Sequence, residues 1–324
     1  MSTVQGGHVL LIAAPGQGAQ TPGFLQPWLE VPGIAERLEW WSAVTGLDLV
    51  RYGTIADAEE IRDTAVAQPL LVTAALAAAE ALGLRTGGPA EAGDRIVPDA
   101  VAGHSVGELA AAAIAGVLSP EAALVFVRER GRAMAEAAGL VRTGMTAVLG
   151  GEPDEVLAAI DKHGLTPANL NGAGQVVAAG TMDQLTALAE EPPAKARLRP
   201  LSVAGAFHTA HMAPAVDTLR RISPGMPVAD PVTRLLSNRD GAVVGAGADY
   251  VSRLVDQVST PVRWDACMQT MRDLGVTAII ELPPAGTLTG LARRDLRGVE
   301  LLALKTPDDL DKARELISAH GDAR

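Results

Sequence analysis

The stretch VAGHSVGELAAAAIAGVL, residues 101–118, decides the fold. Its opening residues are small and apolar, as a buried strand requires, and a run of strong helix formers follows. Between them Gly103-His104-Ser105-Val106-Gly107 fits G-x-S-x-G, a strand-to-helix turn that pushes a serine hydroxyl out at the strand end. The glycines permit a sharp turn. The same five residues would also suit a tight packing turn with no chemistry, so the flanking strand and helix weigh more than the letters.

Outward from this turn, short β-branched runs alternate with Ala-rich helical patterns, which predicts an α/β fold. Strands are expected near 8–14, 99–103, 232–237, 276–281 and 300–304. Helices are expected near 68–82, 106–116, 120–138, 249–258, 264–273 and 307–319. The middle differs. MTAVL (145–149) reads as a strand, PDEVLAAIDKHG (153–164) as a helix, and TPANL (166–170) and QVVAAG (175–180) as strands joined by the turn NGAG. MDQLTALAEE (182–191) reads as a helix and ARLRPLSV (196–203) as a strand. That β-α-β-β-α-β order is the ferredoxin-like pattern. A small domain over 141–205 is therefore expected within a larger α/β domain made of 1–140 and 206–324, with the active site in the cleft between them. GLRTGGPAEAGDRIVPD (83–99) and EEPPAKARLRP (190–200) read as surface breaks.

The 324 residues are 48% hydrophobic and 20% charged but only 3% aromatic, so the core must be mostly Ala, Val and Leu. Formal net charge is −11, which argues against nucleic-acid binding but leaves room for an anionic substrate beside a few local arginines. The single cysteine, Cys267, excludes an internal disulfide and fits a reducing cytoplasm; its helical surroundings predict a buried core thiol. The N-terminal apolar run is strand-length and lacks a basic lead-in, so no secretory signal is expected. The most apolar long stretch, AVAQPLLVTAALAAAEALGL (65–84), contains Gln68, Pro69 and Glu80 and reads as a buried helix rather than a membrane span.

A serine hydroxyl is a weak nucleophile at neutral pH and needs a base. His8 at a strand start, His163 at a helix end and His320 in the tail are poor candidates, and His104 points away from its neighbour Ser105. AGAFHTAHMAP (204–214) leaves His208 and His211, between which the sequence does not choose. The loop in LLIAAPGQGAQTPGF (10–24) begins like a dinucleotide fingerprint, but Thr21 stands where the third glycine belongs, and no Lys-Ser/Thr pair makes a Walker loop. Beside a nucleophilic serine the loop has another use. Attack on a carbonyl builds an oxyanion that wants two preorganised N–H donors; Val106 supplies one and Gln17 the other. The helix EAALVFVRERGRAMAEAAG (121–139) carries Arg128 and Arg132 on one face and Arg130 roughly opposite. If the outer pair faces water, Arg130 points inward, where it needs an anion such as a bidentate substrate carboxylate. A solvated helix end or an internal ion pair is the alternative.

Together these motifs resemble the malonyl-CoA:acyl carrier protein transacylases of fatty-acid synthesis and the related acyltransferase domains of polyketide synthases. Eight landmarks occur in order: PGQGAQ (15–20), QPLL (68–71), GHSVGE (103–108), RGRAM (130–134), NGAGQVVAAG (171–180), GAFHTAHM (205–212), QVSTPVRW (257–264) and TLTGL (287–291). The resemblance implies an α/β-hydrolase-like large domain with a ferredoxin-like insert. It implies Ser105 as the acylated nucleophile, His208 as general base, Gln17 and Val106 as oxyanion donors, and Gln257 as the residue whose backbone carbonyl orients His208. Arg130 would bind the malonyl carboxylate. Met134 and Phe207 would line the acyl pocket, with Phe207 leaving little room for a methyl branch.

The implied partners are malonyl-CoA and acyl carrier protein, joined by a cytoplasmic monomer that needs no cofactor or metal and engages neither nucleic acid nor membrane. In ELPPAGTLTG (281–290), Pro283 and Ala285 replace flexible positions of the family's Gly-rich turn, which stiffens it. An acidic carrier would dock on Lys195, Arg197 and Arg199 or on Arg293, Arg294 and Arg297, unless these are ordinary solvated charges. A thioester hydrolase would use the same elbow, with water rather than a thiol resolving the acyl-serine.

Overall fold

A computed structural model describes residues 7–87, 95–172 and 174–320. Its strands are β1 (Leu10–Ala14), β2 (Ala100–Gly103), β3 (Thr143–Gly150), β4 (Thr166–Leu170), β5 (Gln175–Thr181), β6 (Ala196–Pro200), β7 (Arg234–Leu236), β8 (Val243–Val244), β9 (Val262–Arg263), β10 (Ala278–Glu281) and β11 (Glu300–Ala303). They form two sheets, one in the order β11-β10-β1-β2-β7-β8 and the other β6-β3-β5-β4-β9. In the first sheet β11, β10, β1, β2 and β7 run parallel, and β8 closes the edge antiparallel. β1 and β2 sit at its centre, and every residue of both is buried, which is why they read as unbroken apolar runs. Because they are parallel neighbours, the glycine-rich loop after β1 and the serine turn after β2 emerge at the same sheet edge.

The second sheet holds the β-α-β-β-α-β run in its expected order. β3 leads to helix Pro153–Lys162, then β4 and β5, helix Met182–Glu190 and β6. Both helices pack on one face over Val148, Val156, Ile160, Ala178, Leu185 and Leu188. The strand period of two turns Met145, Ala147 and Leu149 to the other face, where they line a cavity. Two details depart from expectation. The strand predicted to 203 ends at Pro200, one last N–H, that of Leu201, donating to the Met145 carbonyl at 2.9 Å, and residues 201–203 line the cavity instead. The sheet also gains β9, a two-residue strand predicted nowhere above, paired parallel with β4.

The long apolar helix starts at Thr64 rather than 68 and ends at Ala81. It is long and apolar enough to cross a membrane by length and composition, but 83% of that window is buried inside the protein. Pro69 made a later start look natural. The structure accommodates it because the Ala65 carbonyl, which would have accepted the missing N–H, accepts from Arg128 Nη1 at 2.9 Å instead. Helices Ile34–Thr45, Leu49–Thr54, Ala213–Ile222 and Thr287–Asp295 lie outside the predicted elements. The last is anchored by Glu281, fully buried, whose carboxylate accepts from the N–H groups of Gly286, Leu288 and Thr289 and from the Thr289 hydroxyl. An acidic group is favoured there by the positive helix end. Of the two surface breaks, residues 88–94 lie outside the described residues, as does Ala173 of the NGAG turn. Cys267 is fully buried, and burial pushes its thiol up, away from the reactive thiolate.

Candidate active site

Ser105 sits on the turn between β2 and helix Gly107–Ile114 with φ of 52°, a left-handed conformation costly for serine. The glycines around it explain how the turn closes. A Cβ on Gly103 would lie 2.1 Å from the Gly107 carbonyl carbon, and one on Gly107 would lie 2.2 Å from the Ala14 oxygen. Strand, helix and the end of β1 meet here with no room for a side chain. The turn is then pinned from β7's far end. Asn238, fully buried, accepts the Ser105 N–H on Oδ1 at 2.7 Å and donates from Nδ2 to the Gly103 carbonyl at 2.7 Å.

His208, not His211, faces the serine. Its Nε2 lies 2.8 Å from Ser105 Oγ, and its Nδ1 lies 2.8 Å from the backbone oxygen of Gln257. A carbonyl only accepts, so Nδ1 carries the hydrogen and Nε2 presents a lone pair to the serine hydroxyl. The ring is held by its own backbone as well: His208 has φ of 62° and its N–H donates to Val258 at 2.9 Å. His104 turns the other way, with Nε2 2.8 Å from Asn171 Oδ1 and its ring edge against Trp264.

Arg130 is buried on helix Pro120–Leu140, while Arg132 is exposed and pairs with Glu129. Its guanidinium donates from Nη1 to Gln68 Oε1 at 2.5 Å and from Nη2 to Gln257 Oε1 at 2.7 Å. Burial lowers its pKa to about 10, which leaves it charged at neutral pH. It is buried and, among the described residues, has no direct acidic partner, so neither a solvated helix end nor an internal ion pair describes it. The guanidinium sits just behind the cavity wall, in which Gln68 is a lining residue.

The cavity, of about 690 Å³, opens between the two sheets. Gln17, Val106, Met134 and Phe207 line it together with Ser105 and His208. Among the described residues, the backbone N–H groups of Gln17 and Val106 have no acceptor. Arg199 and Arg294, one from each basic cluster, stand at its rim and are exposed. No group of three or more His, Cys, Asp or Glu side chains suited to a metal occurs among the described residues. Three residues of this network were not assigned above: Gln68, Glu108 and Asn238. Gln68 and Glu108 each interrupt an apolar stretch of helix, a visible sign of a buried polar partner; Asn238, in a loop, gives no comparable sign.

Residues 15–309 match the family model described as the acyl transferase domain. The chain belongs to the acyl transferase family. This acyltransferase is 52% identical over 308 residues to the malonyl CoA-acyl carrier protein transacylase of Mycobacterium tuberculosis, covering 95% of this chain and all of that one. It is 32% identical to the Escherichia coli enzyme of the same name, over 93% of this chain and 97% of that one. The crystal structure of MCAT from Mycobacterium tuberculosis superposes with a TM-score of 0.89 over 95% of this chain and 100% of that chain.

Burial, with the Arg130 charge second, pushes the acyltransferase's His208 down from 6.5 to about 3. The ring therefore stays neutral, and able to accept a proton, far below the ordinary histidine range. His208 is therefore expected to add no acid limb to acyl-enzyme formation between pH 8 and about 5, measured by rapid quench at each pH. Stability moves with the opposite dependence. The unfolded ring takes a proton below 6.5 and the folded one does not, so stability is full above that pH and drains as pH falls toward about 3. The loss at pH 5 is about 2 kcal/mol from this ring, read from denaturant melts at the two pH values. His104, also lowered by burial, adds to it.

Proposed function

We propose that this acyltransferase moves the malonyl group of malonyl-CoA to the phosphopantetheine thiol of acyl carrier protein through a malonyl-Ser105 ester. The observation that carries the reading is the line from Ser105 Oγ through His208 to the Gln257 carbonyl, 2.8 Å at each step, at the wall of a cavity backed by a buried arginine. The names of the relatives support the substrate and the carrier, as does a solved complex of a type II PKS acyl-carrier protein with its malonyl-transacylase, 28% identical to this chain with a TM-score of 0.85.

The malonyl carboxylate binds Arg130, replacing the amide oxygen of Gln68, a residue of the cavity wall. Ser105 attacks the thioester carbonyl as His208 Nε2 takes the hydroxyl proton. The oxyanion rests on the N–H groups of Gln17 and Val106. Protonated His208 gives the proton to the departing CoA thiolate, leaving the ester. The carrier's thiol then enters the vacated channel, loses its proton to His208, and the steps run in reverse, which makes the kinetics ping-pong. Every step uses groups of this chain and its two substrates, so no cofactor or metal has a role. Met134 and Phe207 shape the acyl end, and the Phe207 ring disfavours a methyl branch.

The architecture belongs to the same reading: an α/β-hydrolase-like lobe, 1–140 and 206–324, with a ferredoxin-like lobe, 141–205, inserted in it. The β6-β3-β5-β4 order and the two helices on one face support the second name. The enzyme works as a cytoplasmic monomer in fatty-acid synthesis and can also supply malonyl units to polyketide carriers. The basic rims at Arg199 and Arg294 receive the acidic carrier. The test offers malonyl-, methylmalonyl- and acetyl-CoA to purified holo-carrier protein, with free CoA and acylated carrier both followed. Malonyl transfer is expected to dominate, with malonyl on Ser105 when carrier is omitted. CoA release at the same rate with and without carrier would identify a hydrolase instead.

A further inference from the structure

Glu108 is the acid of GHSVGE and the single ionisable side chain on helix Gly107–Ile114, yet it is 1% exposed and touches no reacting atom. Its two oxygens are fully used. Oε1 accepts the backbone N–H of Asn238 at 2.6 Å, and Oε2 accepts from the Gln257 amide Nε2. The buried Tyr250 hydroxyl donates to the Leu236 carbonyl at 3.3 Å. Among the described residues no direct ion pair joins Glu108 to Arg130; the Gln257 amide stands between them.

That amide has only one arrangement that satisfies its neighbours. Its two Nε2 hydrogens go to the Ser105 carbonyl, at 3.1 Å, and to Glu108. Its oxygen must then point away from both, and there it receives Arg130 Nη2 at 2.7 Å. Without an acceptor at Glu108 the amide is free to turn, and an NH₂ then meets the guanidinium donor to donor. Gln257 grips Arg130 from behind the cavity wall, whereas Gln68 grips it at the wall. The first contact fixes the aim of the guanidinium; the second is the one a ligand exchanges.

We propose that Glu108 is a positioning residue that sets the acid selectivity of the site, by orienting the Gln257 amide and through it the Arg130 guanidinium. This rests on the reading of Arg130 as the carboxylate anchor. It assigns Gln257 two separate tasks. Its backbone carbonyl holds the base, and its side chain aims the arginine, so the two can be separated by substitution. It also explains a carboxylate where an ion pair would be the simpler arrangement. A direct Glu108–Arg130 pair would tie up the guanidinium fork that a bidentate substrate needs. Acting through a neutral amide, Glu108 steers the arginine and leaves its remaining N–H groups to the ligand.

The test compares malonyl-CoA and acetyl-CoA as donors to carrier protein for the wild type, Glu108→Gln, Gln257→Met and Arg130→Ala. In Glu108→Gln one of the two facing donors loses its acceptor. The ratio of malonyl to acetyl kcat/KM is expected to fall about tenfold, mainly through a raised KM for malonyl-CoA. Gln257→Met keeps the carbonyl that holds His208 and is expected to give the same fall, and the double variant no further one. Equal losses on both donors in Glu108→Gln would mark a purely structural residue and overturn the proposal. If Glu108→Gln does not fold, Gln257→Met decides alone, and an unchanged ratio there overturns it. Arg130→Ala separates the two layers. A lost ratio in Arg130→Ala beside an intact one in the other variants sinks this proposal only. An intact ratio in Arg130→Ala sinks the anchor reading beneath it.

Discussion

Replacing Ser105 by alanine is expected to lower malonyl transfer by about 10⁴-fold or more and to abolish the covalent adduct. The size of the loss follows from what remains. The Gln17 and Val106 N–H groups, the arginine and the cavity all persist, but His208 has no hydroxyl to deprotonate. A direct attack by the carrier thiol on bound malonyl-CoA would need both long arms together in a cavity of about 690 Å³. The fold should survive. Ser105 Oγ makes one hydrogen bond, to His208, and the strained φ of 52° is held by the Asn238 contact to the backbone N–H, which alanine keeps. Intact-mass measurement after mixing with malonyl-CoA reads the adduct, and a melting curve reads the fold. An adduct of malonyl mass on the folded alanine variant would place the nucleophile elsewhere.

Arg130→Ala is expected to lower malonyl kcat/KM by about 10³-fold while changing acetyl transfer by about tenfold or less. Two charge-assisted hydrogen bonds to a carboxylate, each about 1.5–3 kcal/mol, set the first figure. The acetyl group has no carboxylate to lose. Arg130→Lys should not restore the ratio, because a point charge cannot reproduce the fork that bridges Gln68, Gln257 and a ligand. The substitution also leaves two buried amide oxygens without donors, so some stability is lost. It removes a positive charge that helps hold His208 down, so the ring's pKa should rise toward 6.5 and an acid limb should enter the rate profile. Competition between the two donors at fixed carrier concentration measures the ratio directly. Equal losses on both would assign the arginine to the fold.

Much of this site could be read from the chain because its constraints are local. A serine between two glycines that cannot bear a Cβ, a strand before and an Ala-rich helix after, are all written within eighteen residues. Helical spacing set Arg130 opposite Arg128 and Arg132 but left a solvated end or an ion pair open; its burial and its two amide partners come from distant parts of the chain. The choice of His208 over His211 could not follow from spacing. It depends on the carbonyl of Gln257, 49 residues away, and on a left-handed φ that no local pattern announces. Asn238 lies 133 residues from the backbone N–H it accepts, on a loop whose partner is set by sheet order. The same holds for the fold. Long β-branched or Ala-rich runs located the central strands and helices. β9, two residues long, owes its existence to the β4 edge beside it rather than to its own sequence. Helix Thr64–Ala81 began early because an arginine from another helix satisfied the carbonyl that Pro69 had freed.

That short strand has a mechanical consequence. Asn169 and Leu170 pair with Val262 and Arg263, and the chain just before them supplies the carbonyls of Gln257 and Val258 that grip His208. The second sheet is thus joined to the very segment that orients the imidazole, so a shift of that sheet is passed on to the base.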